Sequence, residues 1–402
     1  MKKRILIFLV ITKVRKYDFD RFDAYQIEKS KSMDFEFHEI GDFIYPGFTK
    51  LFSSKRLKDK RIKIFSSYEN WKKDIMNKKK NYGENIIIYN DINITNFQSF
   101  RVNYFFKKKR IKTLVGSSLD TPIYSSSNIF DKFKLLLKNI FVNNKRIRLF
   151  IMNYFFSYLG NFLNIKPNFF LKYGSVYSPY ESKEGVKTLN GHSLDFNMFL
   201  KTKEKIFKRK DKYAIFLESA TPVHNLGDGF VHGASHNYKG TAKEWLKSLN
   251  GFFAKLEKTH KFKILIAPHP KIEHKKKFSN LYKGREILKE KLSVVSKNCE
   301  MLISRDSTGF SYAAIYNKPA IFMYNNELIK LNKNLINNQK NFANELGLNP
   351  VNIDMNFSKK EIFKFKNFNR KCYLNYVKKY LSSREDKKIN YQVIEEAFNF
   401  TV

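Results

Sequence analysis

The chain has 402 residues, 43% of them hydrophobic, which is enough apolar material for two folded domains and excludes wholesale disorder. Lysine and arginine number 76 against 37 acidic residues, a formal net charge of +39 that points to an anionic partner: a nucleotide, a nucleic acid or an acidic membrane. The same surplus is also what a chain saturated in Lys, Asn, Ile, Phe and Tyr carries on ordinary solvated faces. Its two cysteines, Cys299 and Cys372, cannot build a disulfide framework or a cysteine metal site, which fits a reducing cytoplasm.

A first strand is predicted over residues 4–11 (RILIFLVI). Basic residues followed by an apolar run also begin a signal peptide. Here Thr12, Lys13 and Arg15 follow at once, and no small-residue cleavage site appears. Further strands are predicted at 35–40, 85–91 and 111–118, with a helical segment at 68–80 between two of them. That alternation predicts a parallel sheet with crossover helices. Asp91, Ser117, Ser118 and Asp120 lie at strand ends. Residues 128–165 form a basic, aromatic, helical region. Its stretch 149–165 nears membrane-spanning length, but Asn153, Gly160, Asn161 and Asn164 interrupt it, so no span is expected. Interleaved basic and apolar residues suit a helix lying on an anionic membrane. The apolar residues nearly encircle the helix, however, which favours packing on the sheet. Residues 170–180 read as the last strand of a first domain, 1–187, and the turn-rich segment 188–212 as a linker.

A second domain, 213–370, opens with a strand ending at Glu218. The Gly-rich loop 220–240 carries His224, Asp228, His232 and His236 without the spacing of any metal motif, so no metal is expected. In the helix that follows, Trp245, Leu249, Phe252, Phe253 and Leu256 form the stripe of a helix lying on a sheet. Then come the apolar run FKILI (262–266), a predicted helix at 285–298, CEMLIS (299–304) and a last strand at 320–324. The pattern is strand–helix–strand–helix–strand, that of a doubly wound α/β sheet. Residues 371–402 are predicted to form helices that pack back on the first domain.

Two loops follow strands of the second domain, where ligands of such sheets bind. In Ala267-Pro268-His269-Pro270-Lys271 the prolines restrict the backbone around a histidine, whose ordinary pKa near neutrality suits donation to a departing phosphate. Lys271 adds a fixed positive charge. In Arg305-Asp306-Ser307-Thr308-Gly309 two hydroxyls and free N–H groups meet at a helix start, an arrangement that binds anions, and Gly309 permits close approach. Plain roles exist for both loops: a histidine bonded to backbone, and an ordinary N-cap. Glu218, His269, Lys271, Asp306, Ser307, Thr308 and Gly309 together form the expected donor-side set. Their crevice fits a pyrophosphate or a nucleotide monophosphate.

APHPK (267–271) followed by RDSTGFSYAAIYNKPAIF (305–322) resembles the nucleotide-sugar-binding half of bacterial GT-B glycosyltransferases of surface polysaccharide synthesis. The capsule and O-antigen enzymes that share His-Pro and Ser/Thr motifs with bacterial sialyltransferases are the most similar group. GHSLDF (191–196) and IFLES (215–219) resemble that group's inter-domain link and first strand of the second domain, so the likeness spans residues 188–325. The resemblance implies two Rossmann-like doubly wound α/β domains facing a cleft. It also implies that His269, Ser307 and Thr308 contact the donor nucleotide phosphate. That group takes its catalytic acid from an acidic motif in the first domain, and no copy stands here. Asp91 and Asp120 follow first-domain strands, and Asp91 is the expected base.

The expectation is therefore an inverting, metal-independent glycosyltransferase. It would move a sugar from a nucleotide-sugar donor to a capsule, O-antigen or lipooligosaccharide acceptor, free or lipid-linked, with Asp91 and His269 catalytic. The nucleotide sugar is a substrate and no cofactor is expected. The protein would be cytoplasmic, held at the inner face of an anionic membrane by its basic surface. A polyol-phosphate transferase of the CDP-glycerol type shares the fold and the His-Pro loop. An inactive glycan-binding relative would lack the catalytic acid. A nucleic-acid-binding protein would place exposed aromatics and cations along one groove. Here the aromatics of the second domain fall on a core stripe and no nucleic-acid motif appears, so a nucleic-acid partner is not expected.

Overall fold

The computed structural model describes residues 4–51, 55–117, 144–219, 239–270, 278–331 and 333–399, together with Val223. Two all-parallel sheets organise them. The first comprises β1 (Ile5–Val10), β2 (Asp34–Glu39), β3 (Ile62–Ile64), β4 (Ile86–Asn90), β5 (Lys112–Gly116), β6 (Phe169–Tyr173) and β7 (Lys187–Gly191). Its strand order is β3-β2-β1-β4-β5-β6-β7. The second comprises β8 (Tyr213–Leu217), β9 (Lys263–Ala267), β10 (Leu302–Ser304), β11 (Ala320–Tyr324) and β12 (Val351–Asn352), in the order β12-β11-β10-β8-β9. These are two doubly wound, Rossmann-like α/β domains, as the strand–helix alternation predicts.

The central strands are apolar without interruption because helices cover both of their faces. In β1, Leu6 and Phe8 enter one core with Ile87 and Tyr89, while Ile5, Ile7 and Leu9 enter the opposite one with Trp71, Ile86 and Ile88. In β8, Ala214 and Phe216 face the helix Lys239–His260, whereas Tyr213, Ile215 and Leu217 face the other way. Trp245, Leu249, Phe252, Phe253 and Leu256 are buried in that helix, the stripe expected of it.

Several segments depart from expectation: β3 and β12 are strands that the sequence pattern does not announce, so Ala320–Tyr324 is not the last strand of its sheet. Residues 187–191, read as the start of the linker, form the edge strand β7 paired with β6. Only Leu189 and Gly191 of that strand are buried, so its polar alternation resembles a connection. Residues 285–298 do not form one helix. Ile287 bridges Ile266 in parallel, with Ile266 N–H donating to Glu286 and Leu288 N–H to Ile266, and helical turns are confined to 292–298. The segment is captured as an extended neighbour of β9, and backbone bonding there overrides its helical spacing.

The chain returns to the first domain at its end. Helix Asn390–Ala397 buries Val393, Ile394 and Ala397 in the same core as Leu6 and Phe8. A buried polar seam ties this return to the inter-domain connection. Asn390 accepts from His192 N–H at 2.9 Å and donates to His192 C=O at 2.8 Å. Its own N–H donates to Asn197, and Asn197 donates at 2.8 Å to Asp23, which lies after β1. His192 also bonds Ser382 at 2.7 Å and Lys388 C=O at 2.9 Å. Among the described residues no helix is long and apolar enough to cross a membrane.

Replacing Asn390 by Ala strands the buried N–H and C=O of His192, each worth about 1–3 kcal/mol when unsatisfied. The urea midpoint is therefore expected to fall by the equivalent of about 3 kcal/mol, and an unchanged midpoint refutes the seam's role. Burial pushes His192 down from 6.5 to about 4. Between those values the unfolded chain takes up a proton that the folded chain refuses, so stability falls as the pH drops through that window. In His192→Gln that slope flattens, as urea titrations at several pH values would measure.

A candidate active site between the two sheets

In a doubly wound sheet the crevice opens where strand order reverses. That point lies between β1 and β4 in the first sheet and between β8 and β10 in the second. The chemically distinctive groups of this protein gather at these two points.

On the second domain, the dipeptide after β8 holds both candidate loops. Glu218 is 4% exposed, and its carboxylate accepts from His269 N–H at 3.2 Å and from the Tyr282 hydroxyl. Burial, with the Glu218 charge beside it, holds the Tyr282 phenol well above its ordinary range, so it stays a donor. Ser219 donates at 2.7 Å to Asp306, which also takes a 2.6 Å ion pair from the buried Arg305. Glu218 and Asp306, expected on the donor side, thus serve as positioning residues whose carboxylates are engaged by protein. His269 is half-buried and Thr308 exposed at the crevice. Ser307 caps the turn Thr308–Phe310, accepting from Gly309 N–H at 3.2 Å. Gly309 is a packing glycine: a Cβ there would meet Leu292 Cδ2 at 2.7 Å and Leu217 Cδ1 at 3.1 Å. Its side faces the core, so the close approach it permits is between helix and sheet. Lys271, Asp120, Ser118, His224, Asp228, His232 and His236 lie outside the described residues.

On the first domain, the helix after β1, Lys16–Arg21, brings three residues that sequence reasoning missed. Arg15 is locked on Asp18 by bonds of 2.9 and 2.8 Å, and donates at 2.9 Å to Pro270 C=O, beside His269. Tyr17 lies between two guanidiniums, with Arg15 and Arg21 each 5.9 Å from its ring centroid. Arg21 acts electrostatically on Tyr17, Asp91 and Asp195. Asp195, from GHSLDF, accepts from Ser311 at 3.0 Å on the second domain. The two switch points therefore face each other.

Asp91 ends β4 and accepts from Gly116 N–H at 3.0 Å. It keeps exposed surface although protein surrounds it, and so does Tyr17; that combination marks the wall of a cleft. This crowding raises Asp91 to about 6, against the opposing pull of Gly116 N–H, Arg21 and the Tyr89 hydroxyl. Burial likewise raises Asp195. Asp91 and Tyr180 also line a cavity of about 720 Å³ formed by first-domain residues alone, along with Asn103, Lys107, Arg110 and Lys166. Asp91 was legible as a strand-end carboxylate, whereas Tyr17 and Arg21 lie in a segment without a motif, and Asp195 lies in GHSLDF, which was read only as an inter-domain link.

Among the described residues one group of three has metal-type ligands: Glu36, His38 and Asp74. Lys63 bonds Asp74 at 2.8 Å, and Lys78 pairs with Glu36, so two ammonium groups sit where a cation would. Burial raises Glu36, but the bonds from His38 and Lys78 prevail and hold it at about 2. This group is an ion network on the flank of the first sheet.

No family model matches the chain, and no curated protein sequence matches it. Among solved structures it is similar to UDP-GlcNAc 2-epimerase from Methanocaldococcus jannaschii, at 13% identity and TM-score 0.46, covering 91% of this chain and 95% of that one. It is similar to the UDP-bound MnaA of S. aureus, at 10% identity and TM-score 0.44, covering 99% and 95%. The glycotransferase of kitacinnamycin shows 6% identity and TM-score 0.44, with 94% of each chain covered. None of these likenesses assigns a reaction to this chain.

Carboxyl-detected NMR is expected to show Asp91 titrating near 6. Because Arg21 pulls that value down, Arg21→Met should move it further up; a shift downward contradicts the arrangement.

Proposed function

We propose that the chain is a glycosyltransferase that uses a nucleotide sugar, with the donor on the second domain and the acceptor on the first. The observation that carries this reading is the pairing of the two switch points. One presents a carboxyl raised to about 6, and the other a braced His-Pro loop beside two hydroxyls.

In this reading the acceptor hydroxyl lies in the cavity that Asp91 lines. Asp91 accepts its proton as the oxygen forms a bond to the anomeric carbon of the donor sugar. The bond from that carbon to the nucleotide phosphate breaks, and the leaving oxygen takes hydrogen bonds from His269, Ser307 and Thr308. Attack from the first domain on a donor held by the second inverts the anomeric centre. Arg21 lies close enough to limit the rise of Asp91, and substrates that expel water would strengthen every charge in the crevice. The acceptor class that fits is a surface glycan such as capsule, O-antigen or lipooligosaccharide.

The test is thermal stability against CMP, CDP, UDP, GDP and their sugars. A ligand at a hundred times its dissociation constant adds about 2.7 kcal/mol, and His269→Ala and Ser307→Ala should abolish that gain. A gain with CDP-polyols alone would favour polyol-phosphate transfer. No gain with any nucleotide, beside salt-sensitive nucleic-acid binding, overturns the reading. Asp91→Asn should keep the nucleotide gain and lose about 10²–10⁴ in transfer rate. For the native protein kcat/KM should rise with pH through about 6 and level above it, since only the ionised carboxylate accepts the proton.

A further inference from the structure

Helix Asn144–Phe162 packs on the first domain by one side only. The Phe156 ring lies 6.1 Å from Phe97 and 5.8 Å from Phe100, and a Cβ at Gly160 would meet Ile94 Cδ1 at 2.9 Å. On the outward side Ile151, Tyr154, Phe155, Tyr158 and Phe162 are each more than half exposed, the last two at 73% and 74%. Their spacing of i, i+3, i+4, i+7 and i+11 makes them a single stripe along the helix. Exposed apolar surface of this extent and regularity marks an interaction site.

The charge nearest the stripe in sequence is of one sign. Residues 92–117 and 144–180, which supply this helix and the helix beneath it, contain no aspartate or glutamate. Residues 107–110 read KKKR and are all exposed. An aromatic ridge beside a run of exposed cations is complementary to an anionic bilayer: apolar side chains enter the acyl boundary while cations meet the headgroups. A second copy fits poorly, because it would bring the same positive face against this one. A single-stranded nucleic acid calls for rings set in a groove with cations alongside, whereas these rings crown a ridge.

We propose that the outward stripe of helix Asn144–Phe162 seats the protein on anionic lipid. Asn164, Ile165 and Lys166 follow the helix directly and line the cavity that contains Asp91, so docking brings the rim of that cavity to the headgroups. The surface is separate from the crevice chemistry and stands whether or not the transfer reaction does.

The experiment is co-sedimentation of the full chain with vesicles of phosphatidylcholine alone and of phosphatidylcholine mixed with phosphatidylglycerol. Binding is expected to the mixed vesicles only, and to weaken as salt is added. Phe155→Ser combined with Phe162→Ser should weaken it by about tenfold or more, with the melting temperature unchanged because both side chains are exposed. Lys108→Glu with Lys109→Glu should weaken it independently of the apolar stripe. Absence of binding to mixed vesicles, or binding by both double variants as tight as that of the native protein, overturns the proposal. So does a native dimer that the Phe variant converts to monomer without any vesicle binding, or RNA binding lost in that variant under the same condition.

Discussion

The buried seam of His192, Asn197, Asn390 and Asp23 sets the geometry on which the cleft depends. Each of these groups is almost wholly removed from water, where an unpaired polar atom is costly, and each finds its partner on a segment distant in sequence. The chain enters the second domain and returns from it through this one place. The seam fixes the inter-domain connection and the C-terminal return against the first domain, and the His192–Ser382 bond carries it to the segment whose Leu381 packs in the second-domain core. Lys201, paired with Asp23, adds a charge to the same knot.

Within the crevice the decisive balance is between desolvation and opposite charge. Asp91 and Asp195 are both pushed toward the neutral acid by the protein crowded around them, and Arg21 opposes that push at both. The outcome at Asp91 is a carboxyl raised to about 6, because burial outweighs Arg21 and the bond from Gly116. On the other wall the buried Glu218 is spent on holding the His269 backbone and Tyr282. Acidic residues at homologous-looking strand ends therefore do different jobs: one faces the crevice, the other is sealed beneath a loop.

Charge is unevenly placed. Around β2, lysines are consumed in ion pairs with Glu36 and Asp74, and Arg61 is paired with Asp59. Residues 92–117 and 144–180 contain no acidic residue, and among their cations Arg101 and Lys172 reach outside these windows to Glu69 and Glu181. The surplus of positive charge is thus partly neutralised within the first domain and partly concentrated beside the exposed aromatic helix.

Sequence alone determined the two α/β domains, because buried parallel strands demand unbroken apolar runs and RILIFLVI, NIIIYND, YAIFLES and FKILI are such runs. It also placed Asp91, His269 and Ser307 just beyond strands, since a strand end followed by a polar or proline-bounded turn is a local pattern. The edge strand β7 was not legible, because an edge needs burial on few positions and KTLNG reads as a connection. Nor was the extended course of residues 285–288, where pairing with Ile266 outweighs helical spacing. Only tertiary structure decided that Glu218 and Gly309 face inward, that Arg15 reaches Pro270, and that Arg21 acts on both Asp91 and Asp195. Those relations join residues up to some 255 positions apart, and no local pattern of residues encodes a partner at that distance.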